Sequence, residues 1–235
     1  MRAVSRDPLP ARVSAYLASR TARLAVAGNT AAAAESAWPK ARKTKSVGAA
    51  FDLLVAMNGG ARRCMYCELD RGTDIDHFEP RARAPSRTFA WDNWLLACSE
   101  CNSRKRNLFP PGLLDPTLPG YQPDPHLDLL PTTGAFALKT AEAVASEPVY
   151  GLNEHELQRA RHRTFVLYQS VIRHFADARE ANDAAQADRY RNAVVGGPHP
   201  SVLASIQRWH ADARRAFLHA GCAAALDAWP EILAW

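Results

Sequence analysis

Two pairs of cysteines near the middle of the chain constrain its fold more than any other feature. Cys64 and Cys67 form one Cys-x-x-Cys pair, and Cys98 and Cys101 form a second pair roughly thirty residues further on. This spacing is typical of a structural zinc site, because four thiolates fill the tetrahedral shell of the ion and leave no open position. The sequence therefore predicts a closed zinc clasp that holds a small fold together and takes no part in chemistry.

Residues of a different chemistry accompany the cysteines. A histidine, His77, directly follows a carboxylate, Asp76, and an asparagine, Asn102, directly follows the last cysteine of the second pair. A neutral imidazole accepts a proton readily at cellular pH. Carboxylate and amide oxygens are ligands that hard divalent cations prefer. The pattern therefore predicts a second metal site beside a general base.

These residues carry a resemblance to a known family. Over about residues 62–107 the chain resembles the HNH endonucleases that have a four-cysteine zinc clasp, through Cys64-x-x-Cys67, Asp76-His77-x-x-Pro80, Asn93 and Cys98-x-x-Cys101-Asn102-x-x-Lys105. The resemblance implies a ββα-metal centre, also called the His-Me finger. Such a centre hydrolyses phosphodiester bonds with one divalent ion, and the expected products carry 5′-phosphate and 3′-hydroxyl ends.

The resemblance also implies a role for each residue of the site. His77 is the general base, and Asp76 and Asn102 hold the catalytic ion. Asn93 braces the loop that bears the base. Two oxygen ligands favour Mg²⁺ or Mn²⁺ over Zn²⁺ as the catalytic ion. Because neighbouring residues of a strand face opposite sides, Asp76 and His77 need not compete for one position.

Basic residues flank the predicted site on both sides. Arg81 and Arg83 follow the base, and Arg104, Lys105 and Arg106 follow the second cysteine pair. The chain has a formal net charge of +5, which favours an anionic partner. We predict that these five residues contact the phosphates of a nucleic acid.

Hydropathy patterns divide the chain into four segments. We predict a helical region over residues 1–60, an HNH core over 61–110, a proline-rich wrap with a short hairpin over 111–150 and a second helical region over 151–235. The predicted fold class is α+β, with a ββα-metal centre and its structural zinc embedded in a mostly helical protein.

Some predictions are local. Apolar periodicity predicts helices over residues 10–27 and 47–58. The basic segment 38–45 contains a proline and lacks periodicity, which predicts a loop. A short hairpin is predicted between Cys67 and Pro80. The run from Asn153 to Glu156 has the spacing of a capping box at the start of a long helix.

Sequence patterns also bear on the compartment. No apolar run reaches the roughly eighteen to twenty residues of a membrane span, and the start of the chain lacks the apolar core of a secretory signal. Thiolates that bind zinc need a reducing compartment. The sequence therefore predicts a cytoplasmic protein without membrane insertion. The fifth cysteine, Cys222, is predicted to be buried in an apolar stretch.

Outside the centre a weaker resemblance extends along the chain. Several short motifs are similar to HNH proteins of bacterial anti-phage systems of the Septu and retron-associated type, namely Leu113-Leu-Asp-Pro116, His126-Leu, Thr132-Thr-Gly134 and Gly151-Leu-Asn153. This resemblance implies action against foreign DNA. It also implies control by a regulatory protein partner, since an unrestrained nuclease endangers its host.

Two other functions stay open at the level of sequence. A non-catalytic zinc-clasped module that binds nucleic acid would explain the cysteines, although it gives no shared reason for Asp76, His77 and Asn102. A ribonuclease toxin would keep the same chemistry on RNA. Attack by water needs no 2′-hydroxyl, so the pattern favours DNA without excluding RNA.

Overall fold

The structure, a computed structural model, describes all 235 residues and divides into two compact units. The first unit contains Met1–Pro123 and Ala141–Gly151, and the second contains Asp124–Thr140 and Leu152–Trp235. The segment predicted over residues 111–150 is therefore shared between the units. The predicted fold class is confirmed, because the protein is mostly helical with two small antiparallel sheets.

Three helices open the first unit: α1 (Ala11–Val26), α2 (Ala31–Ala41) and α3 (Lys45–Ala56). The hydroxyls of Thr30 and Thr44 accept hydrogen bonds from backbone N–H groups in the first turns of α2 and α3. These side chains satisfy donors that have no partner within the helix. Each helix buries a stripe of apolar residues, which on α1 is Val13, Leu17 and Leu24.

The loop predicted over residues 38–45 is partly wrong. Helix α2 continues through Trp38 and Pro39 and ends at Ala41. Proline lacks the N–H of a helical hydrogen bond and usually ends a helix. Here the backbone N–H of Arg42 still bonds to the carbonyl oxygen of Trp38, at 2.9 Å. Because the large indole of Trp38 is only 5% exposed, its burial favours the helical turn that places it inside.

A ββα unit follows. Strand β1 (Asp74–His77) pairs antiparallel with β2 (Trp94–Ala97), and helix α4 (Ser99–Lys105) comes directly after β2. The hairpin predicted between Cys67 and Pro80 is wrong, since the partner of β1 lies beyond a long loop. The residues after Cys67 form the turn of the first cysteine pair instead.

Helix α5 (Ala141–Tyr150) belongs to the first unit and lies against α4. The Ser146 hydroxyl accepts a hydrogen bond from the N–H of Leu114 at 2.9 Å, and the Tyr150 hydroxyl donates to the Leu114 carbonyl at 3.0 Å. The sequence did not predict this helix, because Pro148 lies inside it.

The second unit combines a short hairpin with four helices. The predicted hairpin is formed by β3 (Leu127–Leu129) and β4 (Phe136–Leu138), which pair antiparallel. The four helices are α6 (His155–Glu180), α7 (Ala184–Val195), α8 (Pro200–Trp209) and α9 (Ala220–Ala228). Although α6 has 26 residues, neither it nor any other helix is apolar over a length sufficient to span a membrane.

The capping box predicted at the start of α6 is wrong. The side chain of Asn153 accepts a hydrogen bond from the N–H of Phe136 at 2.7 Å and donates to its carbonyl oxygen at 2.8 Å. Through these two bonds it fastens the segment before α6 to strand β4. Glu154 stands at the N-cap, and its side chain makes no capping hydrogen bond.

Candidate active site

The four paired cysteines form one buried cluster in the first unit. The sulfur atoms of Cys64, Cys67, Cys98 and Cys101 all lie within 4.8 Å of one another, and the Cys67 and Cys98 sulfurs are 3.9 Å apart. A tetrahedral shell with zinc–sulfur bonds of about 2.3 Å separates its sulfurs by about 3.8 Å. The geometry therefore fits a structural zinc ion. Cys222 lies outside the cluster, and burial raises the pKa of its thiol to about 12.

Local backbone geometry brings each cysteine pair together. In the first pair, the N–H of Glu68 bonds to the carbonyl oxygen of Cys64, which closes a tight turn. In the second pair, Cys98 is the N-cap of α4, and its sulfur accepts a hydrogen bond from the N–H of Cys101 at 3.4 Å. Hydrogen bonds from neighbouring thiols lower the pKa of Cys98. A thiolate at a helix N-terminus is further favoured by the helix dipole.

The predicted base, His77, ends strand β1 and is 4% exposed. Its Nε2 lies 2.9 Å from the carbonyl oxygen of Thr88, so Nε2 carries the proton and donates it to that oxygen. Nδ1 is then the acceptor nitrogen, and it lies 3.4 Å from Nη1 of Arg81. Burial and the Arg81 guanidinium lower the pKa of His77 to about 3. The imidazole is therefore neutral at pH 7, which is the state that can accept a proton.

The predicted bracing residue, Asn93, is fully buried and fastens the loop between the two strands. Its Oδ1 accepts a hydrogen bond from the N–H of Glu79 at 2.7 Å, and its Nδ2 donates to the carbonyl oxygens of Glu79 and Arg87, each at 3.1 Å. Arg87 directly precedes Thr88, whose carbonyl orients His77. These contacts are those that a positioning residue for the base would make.

The predicted metal ligand, Asp76, directly precedes His77 on β1 and is buried. Its Oδ2 accepts a hydrogen bond from the hydroxyl of Tyr66 at 2.6 Å and lies 3.0 Å from Nζ of Lys105. Its Oδ1 lies 3.4 Å from the same Nζ, and the carboxylate also accepts a hydrogen bond from the backbone N–H of His77. Burial raises the pKa of Asp76, while the Lys105 ammonium opposes that rise.

The structure places Lys105 in the interior, where it cannot make the phosphate contact that the sequence predicted for it. The side chain is fully buried and pairs with Asp76, and Nζ also donates to the backbone carbonyl of His77 at 2.6 Å. Burial lowers the pKa of Lys105, and the Asp76 carboxylate opposes that fall. The lysine thus neutralises a buried acid and ties the end of α4 to β1.

Asp76, His77 and Asn102 line one pocket, of about 350 Å³. Asp76 comes from β1 and the half-buried Asn102 from α4, so two elements direct oxygen donors into the same space. One carboxylate and one amide fit a hard divalent ion, which retains water molecules for its remaining positions. The residues present therefore fit the predicted catalytic Mg²⁺ or Mn²⁺.

The other predicted phosphate contacts lie in different surroundings. Arg81 and Arg106 line the pocket. Arg83 is exposed, and its guanidinium lies 3.4 Å from the carbonyl oxygen of Phe109. Arg104 is half-buried and donates to the carbonyl oxygen of Tyr150 at 3.2 Å. Of the five residues, two face the space where a substrate would bind.

Sequence analysis missed four contributors to the site. Helix α2 supplies Glu35 and Trp38 to the wall of the pocket, and the Trp38 ring meets the His77 ring edge-on with centroids 4.5 Å apart. Tyr66 bonds to Asp76, and the backbone of Thr88 orients His77. Tyr66 lies within the first cysteine pair, which was a usable signal. The other three had no local pattern that indicated a site.

Residues 64–108 match the family model described as HNH endonuclease. No curated protein and no solved structure matches the chain. The matched residues include the whole cysteine cluster, both strands and α4. The first unit therefore contains an HNH endonuclease domain with a buried four-cysteine cluster, which implies nuclease activity, a divalent ion and a nucleic acid substrate.

Proposed function

We propose that the protein is a metal-dependent endonuclease that hydrolyses the phosphodiester bonds of DNA, with His77 as its general base. One observation carries the proposal. The hydrogen bond from Nε2 to the Thr88 carbonyl leaves Nδ1 as the proton acceptor, in a pocket that Asp76 and Asn102 also line. A base and two oxygen donors in one pocket are the parts that hydrolysis of a phosphodiester needs.

In the proposed reaction, Nδ1 of His77 takes a proton from the attacking water in place of its contact with Nη1 of Arg81. The water oxygen bonds to phosphorus, the bond from phosphorus to the 3′ oxygen breaks, and the 3′ oxygen takes a proton from solvent to give the 3′-hydroxyl end. The Thr88 carbonyl stabilises the imidazolium that forms, since it already accepts the Nε2 proton. Asn93 keeps this arrangement fixed through its three bonds to the loop backbone. Because these partners are in place before substrate binds, little reorganisation is needed during the reaction.

Asp76 and Asn102 would hold the divalent ion. Oδ1 of Asp76 lies 3.4 Å from Nζ of Lys105, and the carboxylate borders the pocket. When bound, such an ion stabilises the negative charge that develops on phosphate oxygens. Cys64, Cys67, Cys98 and Cys101 would hold a zinc ion that keeps the ββα unit folded, and four thiolates would leave that ion no open position for chemistry.

DNA is the substrate that the site supports best. Water attack in this arrangement uses no 2′-hydroxyl, the group that distinguishes RNA from DNA. Arg81 and Arg106 at the pocket suit contacts to phosphates, which carry no sequence information. Because RNA carries the same phosphates, cleavage of DNA has to be compared with cleavage of single-stranded RNA.

The test is incubation of the zinc-loaded protein with supercoiled plasmid, with and without Mg²⁺ or Mn²⁺, beside single-stranded RNA. We expect metal-dependent nicking or linearisation of the plasmid, with 5′-phosphate and 3′-hydroxyl ends. Cleavage of RNA alone would favour the ribonuclease toxin. A gel shift on the plasmid without any cleavage would favour the non-catalytic zinc module.

We also infer that this nuclease acts against foreign DNA in the bacterial cytoplasm under the control of a regulatory protein partner. The short motifs outside the HNH domain support this role by their similarity to anti-phage proteins. The test compares phage plating on two bacterial strains that carry the gene together with the genes beside it. One strain encodes the wild-type protein and the other encodes His77→Ala. Equal plating on both strains would contradict the inference.

A further inference from the structure

Helix α2 forms one wall of the pocket, although it lies outside the residues that match the HNH family. This part of the chain contributes two apolar side chains and two charged ones to the lining, namely Trp38, Pro39, Glu35 and Arg42. Trp38 packs edge-on against the ring of His77. A residue of this wall is therefore in direct contact with the proposed base.

Arg81 connects this wall to the base. Its Nη2 lies 3.1 Å from Oε2 and 3.3 Å from Oε1 of Glu35. Its Nη1 lies 3.4 Å from Nδ1 of His77, and its Cζ lies 5.6 Å from the centroid of the Trp38 ring. The guanidinium thus holds a carboxylate directly beside the nitrogen that is the proposed proton acceptor.

A guanidinium binds carboxylates and phosphates with the same planar fork of N–H donors. The carboxylate of Glu35 consequently occupies a position on Arg81 that suits a phosphate. The Glu35 side chain is 53% exposed and that of Arg81 is 23% exposed, so water reaches the pair. Solvent-exposed ion pairs are weak and are readily exchanged.

A second ion pair at the same pocket has the opposite arrangement. Arg42 pairs with Asp74 of β1 at 2.8 Å, so here the cation comes from the end of α2 and the acid from the strand. The negative charge of Asp74 repels a phosphate. Among the charged groups that α2 brings to the pocket, Glu35 is therefore the one that competes with an anionic substrate.

We propose that Arg81 is the residue that binds a DNA phosphate beside His77, and that Glu35 occupies this phosphate position until the substrate displaces it. The inference rests on the proposed function, because the phosphate belongs to the proposed substrate. It goes further by naming a residue outside the HNH domain that sets how tightly the pocket binds DNA.

The test measures DNA affinity rather than cleavage. Fluorescence anisotropy of a labelled duplex is recorded with zinc-loaded protein and no added Mg²⁺ or Mn²⁺, for the wild type, Glu35→Gln, Arg81→Gln and the double variant. Glutamine keeps the size of Glu35 and removes its charge. Glu231→Gln is the matched control, since Glu231 pairs with Arg179 at 3.5 Å within the second unit.

We expect Glu35→Gln to bind DNA about two- to five-fold more tightly at low salt, with a smaller difference at high salt. Glu231→Gln should bind as the wild type does. The gain from Glu35→Gln should vanish when Arg81 is already glutamine, because the competition is for that guanidinium.

Three results would overturn the inference: unchanged affinity of Glu35→Gln, a gain that persists in the double variant, or the same gain in Glu231→Gln. The last two would assign the effect to net charge. The nuclease proposal fails separately. If plasmid stays intact with Mg²⁺ or Mn²⁺ in every variant while the affinities follow the expected pattern, the phosphate position stands and the hydrolysis does not.

Discussion

Both units of the protein bury a cation completely, and the two cations differ in their partners. In the second unit, Arg161 is 1% exposed and donates to the carbonyl oxygens of Gly134 at 2.6 Å and Leu152 at 2.5 Å. Its guanidinium also lies over the ring of Phe136, 4.3 Å from the centroid. In these contacts Arg161 joins the hairpin to the long helix through uncharged groups.

In the first unit, Lys105 is 0% exposed and pairs with the carboxylate of Asp76. That carboxylate also lines an open pocket, together with His77 and Asn102. The Lys105 ion pair thus borders a pocket, whereas these contacts of Arg161 join elements within the second unit. A buried charge indicates a site when its partner is ionisable and borders a space that a ligand can enter.

The largest expected effect is the unfolding of the first unit when its cysteine cluster is opened. It tests whether the folding of the first unit depends on a bound metal and that of the second unit does not. Replacing Cys64 with Ala opens the cluster, and structural zinc contributes about 10–16 kcal/mol to folding in small zinc peptides. We expect loss of bound zinc and unfolding of the first unit, measured by zinc content and thermal denaturation. The control is Cys222→Ala, which should keep one zinc per chain. Full zinc content in Cys64→Ala would contradict the clasp.

The second prediction separates the two buried cations. Lys105→Met leaves the Asp76 carboxylate buried without its partner, which costs about 3–5 kcal/mol of unfolding free energy. Adding Asp76→Asn removes the unpaired charge and should restore most of that stability. Arg161→Met removes the donors to two backbone carbonyls, a loss that no neutralising substitution can offset. Chemical denaturation measures the unfolding free energy of these three variants and of the wild type. A double variant as unstable as Lys105→Met would refute the pairing.

The third prediction concerns the loop that orients the base. Asn93→Ala removes three hydrogen bonds and leaves buried backbone groups without partners, so we expect a loss of about 1–3 kcal/mol of stability. Cleavage should fall further than stability explains, since the Thr88 carbonyl is no longer held against His77. The measurement is single-turnover cleavage at a temperature where the variant is folded. Cleavage at the wild-type rate by the folded variant would exclude a positioning role for Asn93.

The smallest expected effect compares two stacked tyrosines of the first unit, Tyr66 and Tyr150, whose rings lie 4.4 Å apart. Tyr66→Phe removes a hydrogen bond to Asp76, and Tyr150→Phe removes one to the Leu114 carbonyl. Each should lose about 1–2 kcal/mol of stability. Only Tyr66→Phe should change the Mg²⁺ concentration that gives half-maximal cleavage. An equal change in both variants would indicate a purely structural role for Tyr66.

The sequence was sufficient where the chemistry is local. The spacing of the cysteine pairs predicted the cluster, and the adjacency of Asp76 and His77 places both residues at the end of one strand, where they line one pocket. Asn102 follows the last cysteine directly, so the start of α4 carries it into the same pocket. In each case a few residues of backbone determine the geometry.

The sequence was insufficient where distant segments decide the outcome. The partner of β1 lies beyond a sixteen-residue loop over positions 78–93, and no local pattern identifies it. Trp38 was assigned to a loop because of the following proline, whereas its burial against His77 and Trp94 makes that segment helical. Lys105 resembles a surface lysine in sequence. It is buried because Asp76, on another element, offsets its charge.

Single-turnover cleavage of a DNA duplex tests most directly whether His77 is the base of a metal-dependent nuclease. Wild type, His77→Ala and the control His155→Ala are compared at equal zinc content, His155 being exposed at the start of α6. We expect His77→Ala to cleave about 100- to 10,000-fold more slowly, and His155→Ala to match the wild type. Cleavage by folded, zinc-loaded His77→Ala within a few-fold of the wild-type rate would contradict the role of His77 as the base.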